Sequence, residues 1–362
     1  MCHVNDAGSF RWAILGTGEV SRKFVLDLRH AGASAHVVAS RQAENATRFA
    51  RSLGIPHVAQ DYDEAVLLDV DAVYIATPPA VHEAHALMAI SAGKPVLIEK
   101  PIALNVGAAK RIVAAAREAD VPCIEALWTR FQPFAGAVQD MLQSGRLGEI
   151  RAFDARFMVS NVPAEGVSLF DPGVGGGSLL HRGIYPLSLA RHFLGPVREM
   201  NTLGQIGTTG VDEEAVLVLR HESGAISTIR SSLRSTGREG ATLSGTRGTL
   251  HLEGPIYRPL GAYVTPITPA HVGGRASPRK LERFRESHTG LKIGQMLGRL
   301  RATRSRQTLP VAFAGNGYHY QAKAMMDCVR TGQIEAEAMP LDQSVEVMDL
   351  IDRARSAWGM PV

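Results

Sequence analysis

At 362 residues the chain is too long for one ordinary core and predicts two domains. Hydrophobic residues make up 45% and charged residues 20%, which excludes global disorder, and no apolar run reaches the roughly 18 residues of a membrane span. The net charge of +4 is small but uneven: Ile256 to Ala312 carries eleven Lys or Arg against two Glu.

Met1 to Ser9 has neither the basic nor the apolar region of a secretory signal and reads as a short, frayed tail. Cys2, Cys123 and Cys328 are far apart and form no C-x-x-C pair or metal-ligand spacing. A reducing, cytoplasmic location is expected.

Strands and helices then alternate. Phe10 to Leu15 reads as a buried strand and Glu19 to His30 as a helix with Val20, Phe24 and Leu28 on one face. Ala35 to Ala39 is a second strand, and Ala43 to Leu53 a helix ended by Gly54 and Pro56. Strands follow at Ala72 to Ala76, Pro95 to Ile98 and Pro122 to Leu127. Between them lie helices from Pro79 to Ala92, closed by Gly93, and from Asn105, its cap, to about Ala119. This rhythm implies right-handed crossovers and a doubly wound parallel sheet of the Rossmann type.

The pattern changes near Leu127. After a helix at Phe134 to Gln143, β-rich stretches run over Ile150 to Val159, Glu214 to Arg220, Ala225 to Ser231 and Thr249 to Leu252. They alternate like an antiparallel sheet with one covered face. Helices return at Tyr318 to Thr331 and Ser344 to Trp358. The expected architecture is a Rossmann domain over residues 1–127, then an α+β domain over 128–362 with an open, mainly antiparallel sheet.

Gly16-Thr17-Gly18-Glu19-Val20-Ser21 follows the first strand. Two glycines permit a tight turn and close approach of a pyrophosphate to the next helix's N-terminus; Ser21 replaces the third glycine of the full fingerprint. Strand before and helix after favour a nucleotide over a plain turn. After the second strand, where an NAD enzyme usually places Asp or Glu, stand Ser40 and Arg41. These suit a 2′-phosphate, so NADP(H) is favoured over NAD(H).

Two further stretches carry chemistry: Thr77-Pro78-Pro79 with His82, leading to Glu99-Lys100-Pro101, and Gly175-Gly176-Gly177-Ser178 leading to His181-Arg182-Gly183-Ile184-Tyr185-Pro186. With Trp128-Thr129-Arg130-Phe131 and Phe313-Ala314-Gly315-Asn316-Gly317-Tyr318, they make the chain resemble the Gfo/Idh/MocA oxidoreductases over most of its length. Within that family it looks most like the branch of dimeric dihydrodiol dehydrogenase and NADP D-xylose dehydrogenase.

The resemblance implies that Lys100 is the cationic helper and Tyr185 the acid/base, facing a sugar or trans-diol hydroxyl or carbonyl while hydride moves to or from the nicotinamide. An ammonium near a phenol favours the phenolate, so the tyrosine pKa is expected to fall toward neutral. The resemblance also implies a cis Lys100–Pro101 bond and a homodimer formed through the outer face of the second sheet. His181 stands where relatives usually carry Asp. On a helix it lies beside Tyr185, placed to bind a substrate hydroxyl or relay its proton, or else the carboxylate role is lost. Gly16, Thr17, Gly18, Glu19, Val20, Ser40, Arg41, Thr77, Pro78, Glu99 and Lys100 form the expected cofactor set. His82 joins it, lining the pocket or capping its helix. Trp128 walls the nicotinamide or packs in the core, and Arg130 orients a polar substrate. His82 and His85 have no converging acidic partners, so no metal is expected.

The basic segment, about 256–312, reads as an insertion. Its plainest reading is a solvated loop with a short helix. A phosphorylated substrate or an acidic partner competes with that, whereas nucleic acid is disfavoured because Phe284 is the lone aromatic among its clustered cations. Two other functions compete with the dehydrogenase: cofactor-assisted glycoside cleavage, and a non-catalytic NADP-binding regulator.

Overall fold

The computed structural model describes residues 9–164, 166–267, 287–293, 306–312 and 314–361. Cys2, the first eight residues of the tail, Phe284, Phe313 and most of the basic segment's cations lie outside the described residues.

Six parallel strands form the first sheet: β1 (Phe10–Leu15), β2 (Ala33–Ala39), β3 (His57–Val58), β4 (Ala72–Ile75), β5 (Val96–Glu99) and β6 (Cys123–Ala126). Their order is β3-β2-β1-β4-β5-β6. β4, β5 and β6 are buried at every position, as strands covered on both faces must be. The crossovers carry helices α1 (Glu19–Asp27), α2 (Ala43–Leu53), α3 (Tyr62–Leu67), α4 (His82–Ser91) and α5 (Val106–Glu118). Asn105 caps α5 as expected, accepting the Ala108 N–H at 2.9 Å. The predicted helix at Glu19 to His30 is α1 followed by a 3₁₀ turn, Leu28–Ala31.

α6 (Pro133–Gln143) leads into an eight-stranded sheet: β7 (Ile150–Met158), β8 (Val197–Ile206), β9 (Asp212–His221), β10 (Ile226–Ser232), β11 (Gly240–Gly245), β12 (Gly248–Glu253), β13 (Gly261–Pro266) and β14 (Gln307–Thr308). The order is β14-β13-β12-β11-β7-β10-β9-β8, antiparallel except for the β7–β10 pair. α7 (Ile184–Leu194) covers its inner face. α8 (His319–Thr331) and α9 (Leu341–Ala357) return to the first sheet, α9 packing on α5, β6 and α7.

The predicted insertion is narrower than 256–312. Ile256 is fully buried, and β13 pairs with β12 on one side and β14 on the other, so both ends of the segment belong to the sheet. α3, β8, β11 and β13 have no counterpart among the predicted elements. β8 is a mostly exposed edge strand, and the alternation of β11 covers only Ala241 and Leu243 between bracketing glycines. α3 is one short turn and a half, although Asp61 caps it by accepting the Glu64 N–H at 2.8 Å.

Candidate active site

Gly16 leaves β1 at φ +106°, in the region only glycine adopts without strain, and a Cβ there would lie 2.6 Å from the Ala76 carbonyl oxygen. Its N–H donates to the Ala39 carbonyl at 2.9 Å. The loop thus runs between the ends of β2 and β4, where the strand order reverses and open α/β sheets bind nucleotides. Gly18 precedes α1, and nothing lies within 4 Å of the place its Cβ would take. That bare helix start fits a pyrophosphate. Glu19 and Val20 are exposed on the first turn, whereas Ser21 is fully buried in the helix–sheet contact.

The Thr17 and Ser40 hydroxyls are 3.4 Å apart across the loop. Arg41 donates its backbone N–H to the Tyr62 hydroxyl at 3.0 Å. Its side chain is exposed, and among the described residues it forms no ion pair. Thr77, at the end of β4, is buried with its hydroxyl 2.9 Å from His85 Nδ1, and Pro78 beside it is exposed.

His82 neither lines the pocket nor caps α4. It is buried, with Nδ1 2.9 Å from the Pro101 carbonyl and Nε2 2.7 Å from the Thr77 carbonyl, and the cap position is Val81. The ring braces two strand-end loops from behind. Burial lowers its pKa to about 4, and the two carbonyls, both acceptors, pull it back up.

Glu99 also turns inward. Its Oε1 accepts the Tyr74 hydroxyl at 2.5 Å, and Oε2 accepts the Lys100 N–H at 3.2 Å. Burial raises it to about 7, opposed by the Tyr74 hydrogen bond and the Lys100 charge. The next peptide, Lys100–Pro101, is cis. Lys100 Nζ donates to the His181 carbonyl at 3.1 Å and lies 5.2 Å from the centre of the Tyr185 ring. Burial lowers Lys100 to about 8, against the pull of Glu99 and Glu125.

The His181–Tyr185 segment is not one continuous α-helix. Leu179–Gly183 forms a π-turn, a feature frequent at functional sites, which runs into α7. Asp212 anchors its start: Oδ2 accepts the Ser178 hydroxyl and the Leu179 N–H, each at 2.8 Å. Gly177 makes this possible, since at φ +121° a Cβ would collide with the Asp212 carboxylate. The wide turn brings the His181 carbonyl and the Tyr185 ring to Lys100 together. The His181 Nε2 is buried without a partner among the described residues. Burial and the nearby Lys100 and Arg182 cations lower His181 to about 3, so it is a neutral acceptor rather than a replacement anion.

Tyr185 departs from expectation. Its burial, with the Glu99 charge, pushes the phenol above its ordinary value, while the nearby Trp128 indole pulls the other way. The expected fall toward neutral is not found: burial outweighs the Lys100 ammonium, whose Nζ donates to the His181 carbonyl. Trp128 stacks on Tyr318 at 4.5 Å, and Tyr257 and Phe157 complete an aromatic wall around Tyr185.

Arg130 is only 2% exposed and does not face a substrate. Nη1 donates to the Ser188 hydroxyl at 2.9 Å, and Nη2 reaches Gln343 Oε1 at 2.7 Å and His192 Nδ1 at 2.8 Å. Its turn, Trp128–Phe131, aims it between α7 and α9.

Residues 10–127 match the profile of the oxidoreductase family with an NAD-binding Rossmann fold, Gfo/Idh/MocA, and residues 136–251 match that family's C-terminal domain. The chain belongs to the Gfo/Idh/MocA family. It is an oxidoreductase with an NAD(P)-binding Rossmann domain. Among curated proteins it is 29% identical to trans-1,2-dihydrobenzene-1,2-diol dehydrogenase of Bos taurus, over 97% of this chain and 98% of that one. The Homo sapiens protein of the same name is 27% identical over the same shares. Its fold is shared with a 3-ketoreductase from Actinomadura kijaniata in complex with NADP and TDP-benzene (TM-score 0.75, 23% identity, 96% of this chain and 98% of that chain). A levoglucosan dehydrogenase in complex with NADH and levoglucosan shares it too (TM-score 0.78, 16% identity, the same shares).

Four residues of this oxidoreductase's site escaped the motifs. Tyr257 belonged to the presumed insertion, and Tyr74 read as one more strand residue. Asp212 and Asp27 sit in ordinary element sequences and gain meaning only from distant partners. Asp27, at the end of α1, accepts the N–H of Asn316 and of Tyr318, each at 2.9 Å, and the Asn316 side-chain amide at 3.0 Å.

Proposed function

We propose that this protein is an NADP(H)-dependent dehydrogenase or reductase that moves hydride between the nicotinamide and a sugar or trans-diol hydroxyl or carbonyl. The observation that carries the reading is Lys100 held between the His181 carbonyl and the Tyr185 ring, one residue past β5 of the nucleotide-binding sheet. The bound cofactor supplies or accepts the hydride. Gly16, Thr17 and Gly18 hold its pyrophosphate, and Ser40 and Arg41 meet its 2′-phosphate. Thr77, Pro78 and Trp128 bound the nicotinamide side. The Tyr185 hydroxyl meets the reacting substrate oxygen, Lys100 exchanges the proton near neutral pH, and His181 Nε2 accepts from a second substrate hydroxyl. The names of the diol dehydrogenase relatives support the substrate class.

The test is reduction of NADP⁺ and NAD⁺ across free aldoses, sugar phosphates and trans-diols, with Arg41→Ala alongside. The wild type is expected to prefer NADP⁺. The variant is expected to lose about tenfold or more in NADP⁺ affinity, the worth of one charge-assisted contact, and little with NAD⁺. Equal losses for both cofactors remove the 2′-phosphate reading. Silence across the panel with cofactor still bound favours cofactor-assisted glycoside cleavage or the regulatory reading, the latter motivated by His181 in place of Asp.

The reading extends to a cytoplasmic homodimer. Among the described residues no helix is long and apolar enough to cross a membrane, and Cys123 and Cys328 are free thiols. Leu203, 79% exposed, joins Val216, Val218 and Ile226 on the outer face of β8, β9 and β10. Pairing through that face is expected to give twice the chain mass in sedimentation equilibrium, and a monomer at micromolar concentration argues against it.

A further inference from the structure

Tyr74 is fully buried in β4, its ring stacked on Phe24 of α1 at 3.8 Å. A phenylalanine would serve that packing. The hydroxyl is a polar group in a dry core, and such groups are retained where they have a partner. Its partner is Glu99, two residues beyond the Tyr74–Leu97 pairing on the neighbouring strand. The same carboxylate takes the backbone N–H of Lys100.

We propose that Tyr74 is a positioning residue that acts on Lys100 through Glu99: its hydroxyl keeps Glu99 ionised beneath the site, and that negative charge sets the charge of Lys100. This rests on the dehydrogenase reading only for its consequence in turnover; the electrostatic link stands by itself.

The surrounding groups support the direction. Glu99 is faced by Tyr74 from β4, by Lys100 on its own strand end and by Glu125 from β6. Lys100 is faced by Glu99, by Glu125, whose Oε1 accepts the Ile102 N–H at 3.0 Å, and by Arg182 of the π-turn. The phenols of Tyr185 and Tyr318 also border Glu99, and His181 borders Lys100. Burial works against the charge on both Glu99 and Lys100. The Tyr74 hydrogen bond is the first of the effects that keep Glu99 ionised, and Glu99 is the first of those that keep Lys100 protonated. Removing the hydroxyl leaves Glu99 to take up a proton at higher pH. Lys100 then loses its main counter-charge and releases its proton at lower pH.

The test is NMR titration of the Lys100 Cε signal in full-length protein labelled with ¹³C-lysine, the signal being assigned by its loss in Lys100→Met. In Tyr74→Phe the midpoint is expected to fall by about one pH unit, the scale of a hydrogen bond to a charged group. Glu99→Gln is expected to lower it at least as far. In the Glu99→Gln background Tyr74→Phe is expected to add nothing, because the route through the carboxylate is gone. An unchanged midpoint in Tyr74→Phe overturns the proposal, as does a full further shift in the double variant. If Tyr74→Phe does not fold, Glu99→Gln carries the test: no fall in the Lys100 midpoint overturns the link. Where the wild type turns over a diol or sugar, the kcat/KM limb of oxidation moves with the same midpoint. A titration that shifts in a protein without turnover leaves the link standing and counts against the dehydrogenase reading alone.

Discussion

Replacing Tyr185 by Phe is expected to lower turnover by about two orders of magnitude or more while cofactor affinity holds, the usual worth of an acid/base group, here the hydroxyl that passes the proton between the substrate oxygen and Lys100. The ring keeps its contacts with Phe157 and Tyr257, so the wall of the site is preserved. What disappears is the hydroxyl that meets the reacting oxygen. Steady-state kinetics and NADPH fluorescence titration separate the two effects. Turnover unchanged in the variant takes Tyr185 out of the mechanism. The expected pH dependence of wild-type oxidation follows from Lys100, which burial lowers to about 8. The proton acceptor is its neutral amine, so oxidation rises as pH climbs through that value and reduction falls.

Asp27→Ala is expected to be the most damaging single change away from the chemistry. Asp27 is 1% exposed and binds three donors of residues 316–318 from the end of α1. Alanine leaves those buried donors without their acceptor, so a loss of about 3–5 kcal/mol in urea-induced unfolding is expected. Asp27→Asn retains one carbonyl acceptor and is expected to lose about half as much. Because Tyr318 is held by this clamp and stacks on Trp128, the Ala variant is also expected to weaken substrate binding. A loss below about 1 kcal/mol shows that the loop is held by other contacts.

Local signals made much of the first domain legible. β1 and α2 fall within the limits their patterns imply, since a buried parallel strand is a short apolar run and α2 ends at a left-handed glycine. Lys100, Tyr185 and the Gly16–Gly18 loop are marked by motifs because their chemistry needs particular residues on one short stretch. Arg130 and His82 show the limit of such reading. A cation or imidazole beside a motif is as available to a buried brace as to a ligand, and here Ser188, His192, Gln343 and two backbone carbonyls claim them.

Several features have no local signature because their partners are far away in sequence. Asp27 and Asn316 are 289 residues apart, and Arg130 and Gln343 are 213 apart. The π-turn at Leu179–Gly183 depends on Asp212 arriving from β9 at a glycine without a Cβ. From sequence alone came the alternation of strands and helices and the cofactor loop, consequences of periodicity and short-range sterics, while the expectation for Lys100 and Tyr185 came from the family resemblance of the motifs around them. The tertiary structure alone decided which groups are dry and what they touch. Since burial and charged neighbours set protonation, it is the fold that places the neutral-pH titration on Lys100, leaves His181 an uncharged acceptor and puts Tyr74 beneath Glu99.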